Sequence, residues 1–221
     1  MTSPIISVIV PTYNRSNLIS RCLRSLLNQT LDRNEYEIIV VDDFSSDNTK
    51  EVLETFRDNI KYFENNQNMG LPYSLNFGIK NSLGRFIVRV DSDDYVNNDY
   101  LKILSKHLLL NDNIDAVCCD YYIVDENDKQ ISKKNFTNEP IGCCIMFRLD
   151  QLIKIGLYDE KIKFNEDKDL LIRFSEKYQI YRCPIPLYRY FKHKENMSKD
   201  VNKMNFYEEK IIKKYKLWFV L

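Results

Sequence analysis

Residues 86–94 read Phe-Ile-Val-Arg-Val-Asp-Ser-Asp-Asp, a short apolar run that ends in three carboxylates. The run has the length and β-branched content of a buried strand, so the acids stand at its carboxyl end, where open α/β sheets bind ligands. If strand geometry continues, Asp91 and Asp93 point to one side and Asp94 to the other. Two facing carboxylates need a cation between them, and oxygen ligands favour Mg²⁺ or Mn²⁺. A solvated acidic turn that caps the next helix explains these residues equally well.

Strand and helix patterns alternate through the first half of the chain. Apolar, β-branched runs predict strands at 5–10, 37–41, 60–63 and 86–90. Apolar periodicity and capping residues predict helices at 18–27, over about ten residues ending near 56, and at 73–81. Nearly continuous apolar strands joined by helices are typical of parallel sheets covered on both faces. The sequence therefore predicts an α/β fold with a mainly parallel, Rossmann-like sheet flanked by helices.

The second half of the chain is less regular. We expect helices at 100–109, 150–155 and 166–177, and strands at 116–124, 142–147, 181–183 and 187–191, with a hairpin turn at 125–129. No linker or repeat separates the halves, so 1–204 is interpreted as one domain, with a nucleotide half of about 1–98 and an acceptor half of about 99–204. Residues 205–221 carry the apolar stripe of an amphipathic helix.

The composition excludes several classes of protein. A formal net charge of +0 argues against a protein that binds nucleic acid through its phosphates. None of the six cysteines has the Cys-x-x-Cys spacing of a zinc or redox site, and no signal peptide precedes them. We therefore expect reduced thiols in a cytoplasmic protein. No run approaches the ~18 apolar residues that predict a membrane span.

Six short segments stand in a fixed order along the predicted elements. They are Val-Ile-Val-Pro-Thr-Tyr-Asn-Arg at 8–15, Ile-Val-Val-Asp-Asp-Phe-Ser-Ser-Asp-Asn-Thr at 39–49, Asn-Met-Gly-Leu-Pro at 68–72, Val-Asp-Ser-Asp-Asp at 90–94, Glu-Asp at 166–167 and Pro-Leu-Tyr-Arg-Tyr at 186–190. In this order and spacing they resemble the family 2 glycosyltransferases with the GT-A fold, over about residues 5–198. The resemblance implies transfer of a sugar from a nucleotide diphosphate donor, with UDP-sugar favoured.

The resemblance also implies a donor site and a metal site. The implied nucleotide-sugar residues are Pro11, Thr12, Tyr13, Arg15, Asp43, Asn68, Gly70, Asp91 and Ser92. Asp43 could accept a hydrogen bond from a uracil N–H, although loop packing for Tyr13 and a helix cap for Asp43 are alternative interpretations. Asp93 and Asp91 would hold a divalent cation, Mn²⁺ or Mg²⁺, with His193 as a further ligand. In some members the acid at Asp94 takes the metal instead.

The acceptor hydroxyl must lose its proton as it attacks, which requires a positioned carboxylate. By resemblance Asp167 is the base, with Glu166 beside it at the start of a helix. The alternative is that both acids only favour the helix N-terminus through its dipole. One base without a nucleophile predicts direct displacement with inversion. A sugar-phosphate nucleotidyltransferase or a non-catalytic nucleotide-sugar-binding subunit is the alternative function, although no glycine-rich signature follows the first strand.

Two positions depart from the family pattern, and the end of the chain adds a question about partners. Residues 74–76 read Ser-Leu-Asn where many members have Ala-Arg-Asn, so a basic contact to the nucleotide is missing, and Phe191 stands where arginine is frequent. The expected acceptor is a glycan or lipid-linked saccharide of cell-surface polysaccharide or glycoconjugate synthesis. The aromatic and lysine-rich helix at 205–221 suits protein packing, a homodimer, or the inner face of the cell membrane.

Overall fold

One mixed sheet runs through the molecule, which a computed structural model describes for residues 3–216. Its nine strands in that part of the chain are β1 Ile6–Thr12, β2 Tyr36–Asp42, β3 Lys61–Glu64, β4 Phe86–Arg89, β5 Tyr95–Val96, β6 Ala116–Val124, β7 Gln130–Lys134, β8 Ile145–Arg148 and β9 Ile180–Phe191. The α-helices of the same residues are α1 Ile19–Leu27, α2 Thr49–Glu54, α3 Leu71–Lys80, α4 Tyr100–Leu110, α5 Leu149–Lys154, α6 Glu166–Ser175 and α7 Val201–Tyr215.

The order of the strands divides the sheet into two parts. It is β3-β2-β1-β4-β8-β6-β9-β5, and β7 pairs with β6 outside this row. Strands β3, β2, β1 and β4 run parallel to one another, whereas β8 is antiparallel to both β4 and β6. The predicted α/β fold is therefore confirmed. Because the first four strands are parallel, the polar residues that follow β1, β2 and β4 meet at one edge of the sheet.

The parallel half is held together by close packing of α3 on β1. A Cβ atom on Gly78 would lie 2.7 Å from Cγ2 of Ile9, nearer than two carbon atoms can pack. Ile9 and its neighbours Val8 and Val10 are fully buried. Burial of each such side chain contributes about 1.5–3 kcal/mol. The fit of α3 on β1 also brings the start of α3 to the carboxyl edge of the sheet.

The loops after β1 and β2 are joined by hydrogen bonds, and this shortens the predicted second helix. Asp47 Oδ2 accepts from the Ser16 N–H at 3.1 Å, and its Oδ1 accepts from the Thr49 N–H at 3.0 Å. Asn14 Oδ1 accepts from the Ser46 N–H at 2.8 Å. These polar residues link two loops instead of extending a helix, so α2 begins only at Thr49.

The predicted strands at 181–183 and 187–191 form the single strand β9. The register of β9 against β6 shifts on both sides of Asp120, where Cys183 and Pro186 are successive partners. This irregularity accommodates Pro184 and Pro186, which have no N–H to donate. The parallel pairing with β6 resumes beyond these prolines, so one strand spans both predicted ones.

Helix α7 packs on the start of α6 and begins at Val201, before the predicted boundary at 205. Its inward-facing residues recur at helical spacing, and Ile211 is fully buried. The Tyr207 ring stacks on Phe164 with centroids 5.7 Å apart. Trp218 and Phe219, which the prediction for this helix included, lie outside the described residues. Within residues 3–216 no helix has both the length and the apolar character needed to cross a bilayer.

A buried carboxylate anchors the last turn of α7. Asp169 of α6 is fully buried, and its Oδ1 accepts from Lys214 Nζ at 2.6 Å and from Tyr215 Oη at 2.8 Å. Its Oδ2 accepts from Arg173 at 2.8 and 3.0 Å. A carboxylate this deeply buried is stable only with such partners.

We expect Asp169→Asn to lower the free energy of unfolding by about 3 kcal/mol, because it leaves the cationic partners without their shared charge. Lys214 also pairs with Asp159, whose side chain is partly exposed, so the matched control Asp159→Asn should cost less than about 1 kcal/mol. Urea unfolding measures both changes. Equal effects of the two substitutions would contradict an anchoring role for Asp169.

Candidate active site

The carboxyl ends of β1, β2 and β4 open into one pocket of about 620 Å³. It is lined by every residue predicted for the donor and by both predicted catalytic acids, together with Asp93. These residues are Pro11, Thr12, Tyr13, Arg15, Asp43, Asn68, Gly70, Asp91, Ser92, Asp93, Glu166 and Asp167. The opposite wall comes from the acceptor half, from residues 140–143, 163–165 and 196–204. His193 does not line the pocket but contacts Asp93 behind it.

The first wall carries an unsatisfied hydroxyl group. Thr12 is buried, and its Oγ1 has no hydrogen-bond partner within residues 3–216. Buried polar groups are nearly always satisfied, so this hydroxyl is available to a ligand. The neighbouring Tyr13 is 43% exposed and also lines the pocket.

Asp43 organises the loop between β3 and α3. Its Oδ1 accepts from Asn65 Nδ2 at 2.7 Å and from the Met69 N–H at 2.8 Å, and its Oδ2 accepts from the Gly70 N–H at 2.8 Å. Gly70 has φ of +95°, a conformation that favours glycine. Asp43 therefore does not cap a helix. Its Oδ2 keeps a lone pair that could accept from a nucleobase.

The acidic motif after β4 forms a turn. β4 ends at Arg89, and the Asp94 N–H donates to the Asp91 carbonyl at 3.0 Å. The strand does not continue through the acids, yet Asp91 and Asp93 line the pocket and Asp94 does not. Asp94 is buried, and its oxygens accept from Tyr188 Oη and the Phe191 N–H, each at 2.7 Å. Burial raises the pKa of Asp94 well above its ordinary value.

Asp93 points to the other side of the turn. Its Oδ2 lies 2.9 Å from His193 Nε2 and 3.5 Å from Arg15 Nε. Burial raises the pKa of Asp93, but the His193 hydrogen bond and the Arg15 charge outweigh it, so the pKa lies below its ordinary value. His193 Nδ1 accepts from the Glu195 N–H at 3.3 Å, so in the neutral ring Nε2 carries the proton and donates to Asp93.

Oxygen ligands in this turn suit a hard divalent cation. Asp91 and Asp93 are partly exposed to the pocket, with side-chain exposures of 23% and 15%. Within residues 3–216, Oδ1 of Asp93 accepts no hydrogen bond and remains available as a ligand. Among the described residues, Asp91, Asp94 and Cys143 bring three potential metal-ligand atoms within 4.8 Å of one another. Asp93 and His193 do not belong to this group. The donor set of the two aspartates fits Mg²⁺ or Mn²⁺.

Arg89 joins the two halves of the site. Its guanidinium donates to both oxygens of Asp91, at 2.5 and 3.1 Å, and to Glu166 Oε1 at 2.7 Å. Arg89 is almost fully buried. Sequence reasoning assigned it no role, although a charged residue inside an apolar strand was a signal. Asp91 is two residues away, but the other partner, Glu166, follows only in the acceptor half, so the pair of contacts is not visible locally.

The two acids at the start of α6 differ in burial. Burial raises the pKa of Glu166 to about 7, although the positive charge of Arg89 acts to lower it. Asp167 is half-buried in the pocket wall, and its Oδ1 accepts from the Lys168 N–H at 2.9 Å. A Cβ on Gly142 would lie 2.6 Å from Cβ of Asp167 and 3.1 Å from Nη1 of Arg89. The missing side chain at 142 therefore permits this arrangement, in which Asp167 is the acid that a substrate can reach.

Comparison with known proteins agrees with this geometry. A sequence profile described as Glycosyl transferase family 2 matches residues 7–183. An uncharacterized glycosyltransferase of Rickettsia typhi (strain ATCC VR-144 / Wilmington) is 33% identical in an alignment of 200 positions that covers 81% of this chain and 61% of the relative. The poly(ribitol-phosphate) beta-N-acetylglucosaminyltransferase TarS of Staphylococcus aureus (strain Mu50 / ATCC 700699) is 42% identical in an alignment of 99 positions that covers 43% of this chain and 17% of TarS.

Solved structures share the fold at lower identity. S. aureus TarS 1–349 in complex with UDP-GlcNAc aligns with a TM-score of 0.80 and 24% identity, covering 93% of this chain and 65% of that one. The mannosyltransferase PcManGT from Pyrobaculum calidifontis, in complex with GDP-Man and Mn²⁺, aligns with a TM-score of 0.75 and 19% identity, covering 97% and 64%. The chain thus spans about three fifths of the Rickettsia relative. From the profile match and the shared architecture, the chain belongs to glycosyltransferase family 2 and has the GT-A fold.

Proposed function

We propose that the protein is an inverting glycosyltransferase that moves a sugar from a UDP-sugar to an acceptor hydroxyl of a glycan or lipid-linked saccharide. The observation that carries this proposal is one pocket lined by the residues predicted for the donor, by Asp91 and Asp93, and by Asp167. We place the reaction in cell-surface polysaccharide or glycoconjugate synthesis in the cytoplasm. Contact of residues 205–221 with the inner face of the membrane or with a second copy stays a prediction.

Three features support a nucleotide sugar as the donor. The pocket volume of about 620 Å³ lies in the range of small-molecule sites. The unpaired Thr12 hydroxyl and the exposed side chain of Tyr13 could contact a nucleoside, and Oδ2 of Asp43 could accept from the uracil N–H. UDP-GlcNAc bound to TarS, a sequence relative, favours a uridine nucleotide over the GDP-Man bound to PcManGT.

Charge complementarity supports a divalent cation next to the donor diphosphate. Asp91 and Asp93 would hold it, with His193 behind Asp93, and Mn²⁺ accompanies the donor in PcManGT. Such a cation would offset the negative charge that gathers on the leaving diphosphate. Arg89 keeps Asp91 in place and Arg15 contacts Asp93, so these carboxylates are oriented before a ligand arrives.

Proton removal from the acceptor is assigned to Asp167. Its carboxylate faces the pocket, whereas Glu166 is held against Arg89 and is withdrawn from solvent. Because Glu166 is paired with Arg89, Asp167 is the acid of this wall assigned as base, and the acceptor oxygen attacks the anomeric carbon directly. The Asp167 carboxylate takes the hydroxyl proton as the bond to the diphosphate breaks, and the anomeric configuration inverts.

UDP should raise the melting temperature strongly only in the presence of Mn²⁺ or Mg²⁺. A ligand at about a hundred times its Kd adds about 2.7 kcal/mol to the stability of the folded state. Asp93→Asn should remove most of the metal dependence, while Asp58→Asn, on an exposed turn remote from the pocket, should leave it unchanged. Thermal shift in Mn²⁺ and in chelator measures the effect. The same UDP stabilisation in both conditions would exclude a shared metal–diphosphate site.

Asp167→Asn should lower turnover by about two to four orders of magnitude, because it removes the proton acceptor. UDP affinity should change less than about twofold, since the substitution keeps size and polarity. Turnover of a UDP-sugar panel and calorimetric UDP binding measure the two quantities. If Glu166→Gln abolishes turnover at unchanged stability and Asp167→Asn does not, the base is Glu166.

Arg89→Lys should lower the free energy of unfolding by about 2–4 kcal/mol and weaken UDP binding. A lysine cannot serve two carboxylates at once, so one of Asp91 and Glu166 would remain buried without its partner. Arg85→Lys, at an exposed position just before β4, is the matched control and should change neither quantity. Urea unfolding and UDP titration are the measurements. If Arg89→Lys changes neither the free energy of unfolding nor UDP binding, the two carboxylates do not depend on the arginine.

A further inference from the structure

The cationic side chains of the pocket are not equally available to a ligand. Four of them line it, namely Arg15, Arg89, Lys163 and Lys203. Three have a carboxylate within 4 Å, in the pairs Arg15–Asp93, Arg89–Asp91 and Lys203–Asp200. Within residues 3–216, Lys163 forms neither an ion pair nor a hydrogen bond. Among the four pocket cations, Lys163 is therefore the one whose charge is not paired with a carboxylate.

Lys163 crosses from the acceptor half to the nucleotide half. It precedes α6, yet its side chain lies against Gly70 on the loop that Asp43 organises. A Cβ on Gly70 would be 3.6 Å from Cδ of Lys163 and 3.7 Å from Nζ. The backbone of Gly70 is tied to Asp43, so the ammonium group stands beside a fixed part of the donor wall.

The nucleotide half lacks a basic side chain at the place where the family pattern has one. Leu75 occupies that position in α3 and is fully buried in the core, so it offers no polar contact. The same pocket is lined by five carboxylates, from Asp43, Asp91, Asp93, Glu166 and Asp167. An anionic donor entering this acidic surface needs positive charge that is not already paired.

We propose that Lys163 binds the diphosphate of the donor and supplies, from the acceptor half, the basic contact that α3 lacks. This assignment rests on the function proposed above. The lysine ammonium is a flexible point charge that suits phosphate oxygens, and a charge-assisted hydrogen bond to phosphate is stronger than a neutral one.

The test compares UDP with uridine, which keeps the base and ribose but lacks the phosphates. Binding of each is measured by calorimetry in Mn²⁺ for the full chain and for Lys163→Met, Lys163→Gln and Lys163→Arg. Loss of one charge-assisted bond should weaken UDP about tenfold in the Met and Gln variants and change uridine less than twofold. Lys163→Arg should stay within about threefold. Lys161→Met, at a nearby exposed lysine outside this pocket, is the matched control and should bind like the unaltered protein.

The outcomes separate this assignment from the proposed function. If the unaltered protein binds neither UDP nor uridine, the donor class is wrong and the assignment fails with it. If the unaltered protein binds UDP and the Met and Gln variants bind it equally well, only the role of Lys163 is wrong. Equal loss of UDP and uridine affinity would also overturn the assignment, because the contact would then be to the nucleoside. Lys163 is exposed, so melting temperatures should match in all variants.

Discussion

The guanidinium of Arg89 is the point on which both halves of the site depend. It satisfies Asp91, at the end of the parallel sheet, and Glu166, at the start of α6, from within a buried strand. Without this cation two carboxylates would share a dry environment, and each would have to take up a proton or move apart. The arginine thus links the turn at the end of β4 to the start of the helix that carries Asp167 and fixes the distance between them. The arrangement of the acids around the pocket depends on that distance.

Burial divides the many acids of this chain between structural and chemical roles. Asp94 and Asp169 are buried and have their oxygens occupied by backbone N–H groups or by side-chain donors. They shape a turn and a helix contact. Asp93 and Asp167 remain partly exposed in the pocket wall, so they keep lone pairs for a cation or a substrate proton. Acidic motifs that look alike in sequence therefore separate once the exposure of each carboxylate is known.

The parallel half could be predicted from the sequence because its signals are local. Strands β1 and β2 are continuous apolar runs, and the polar residues that follow them line the pocket as expected. The acids at 91–94 stand in a turn closed by a backbone hydrogen bond and not on a continued strand, which the apolar run before them does not reveal. The roles of Arg89 and Lys163 depend on contacts with Glu166 and Gly70 in the opposite half of the chain. No pattern within a short window reports such contacts.

The space beside Gly142 has a consequence for the interpretation of such sites. An ordinary side chain at that position would push the backbone before β8 away from both Asp167 and Arg89. The positions of Asp167 and Arg89 therefore depend on the absence of a Cβ atom at position 142. A chain with alanine at position 142 would have the same acids and the same arginine, so a list of its functional groups would not differ from that of this chain. Two proteins with the same acids and the same arginine could then differ in activity through a single methyl group that displaces their side chains.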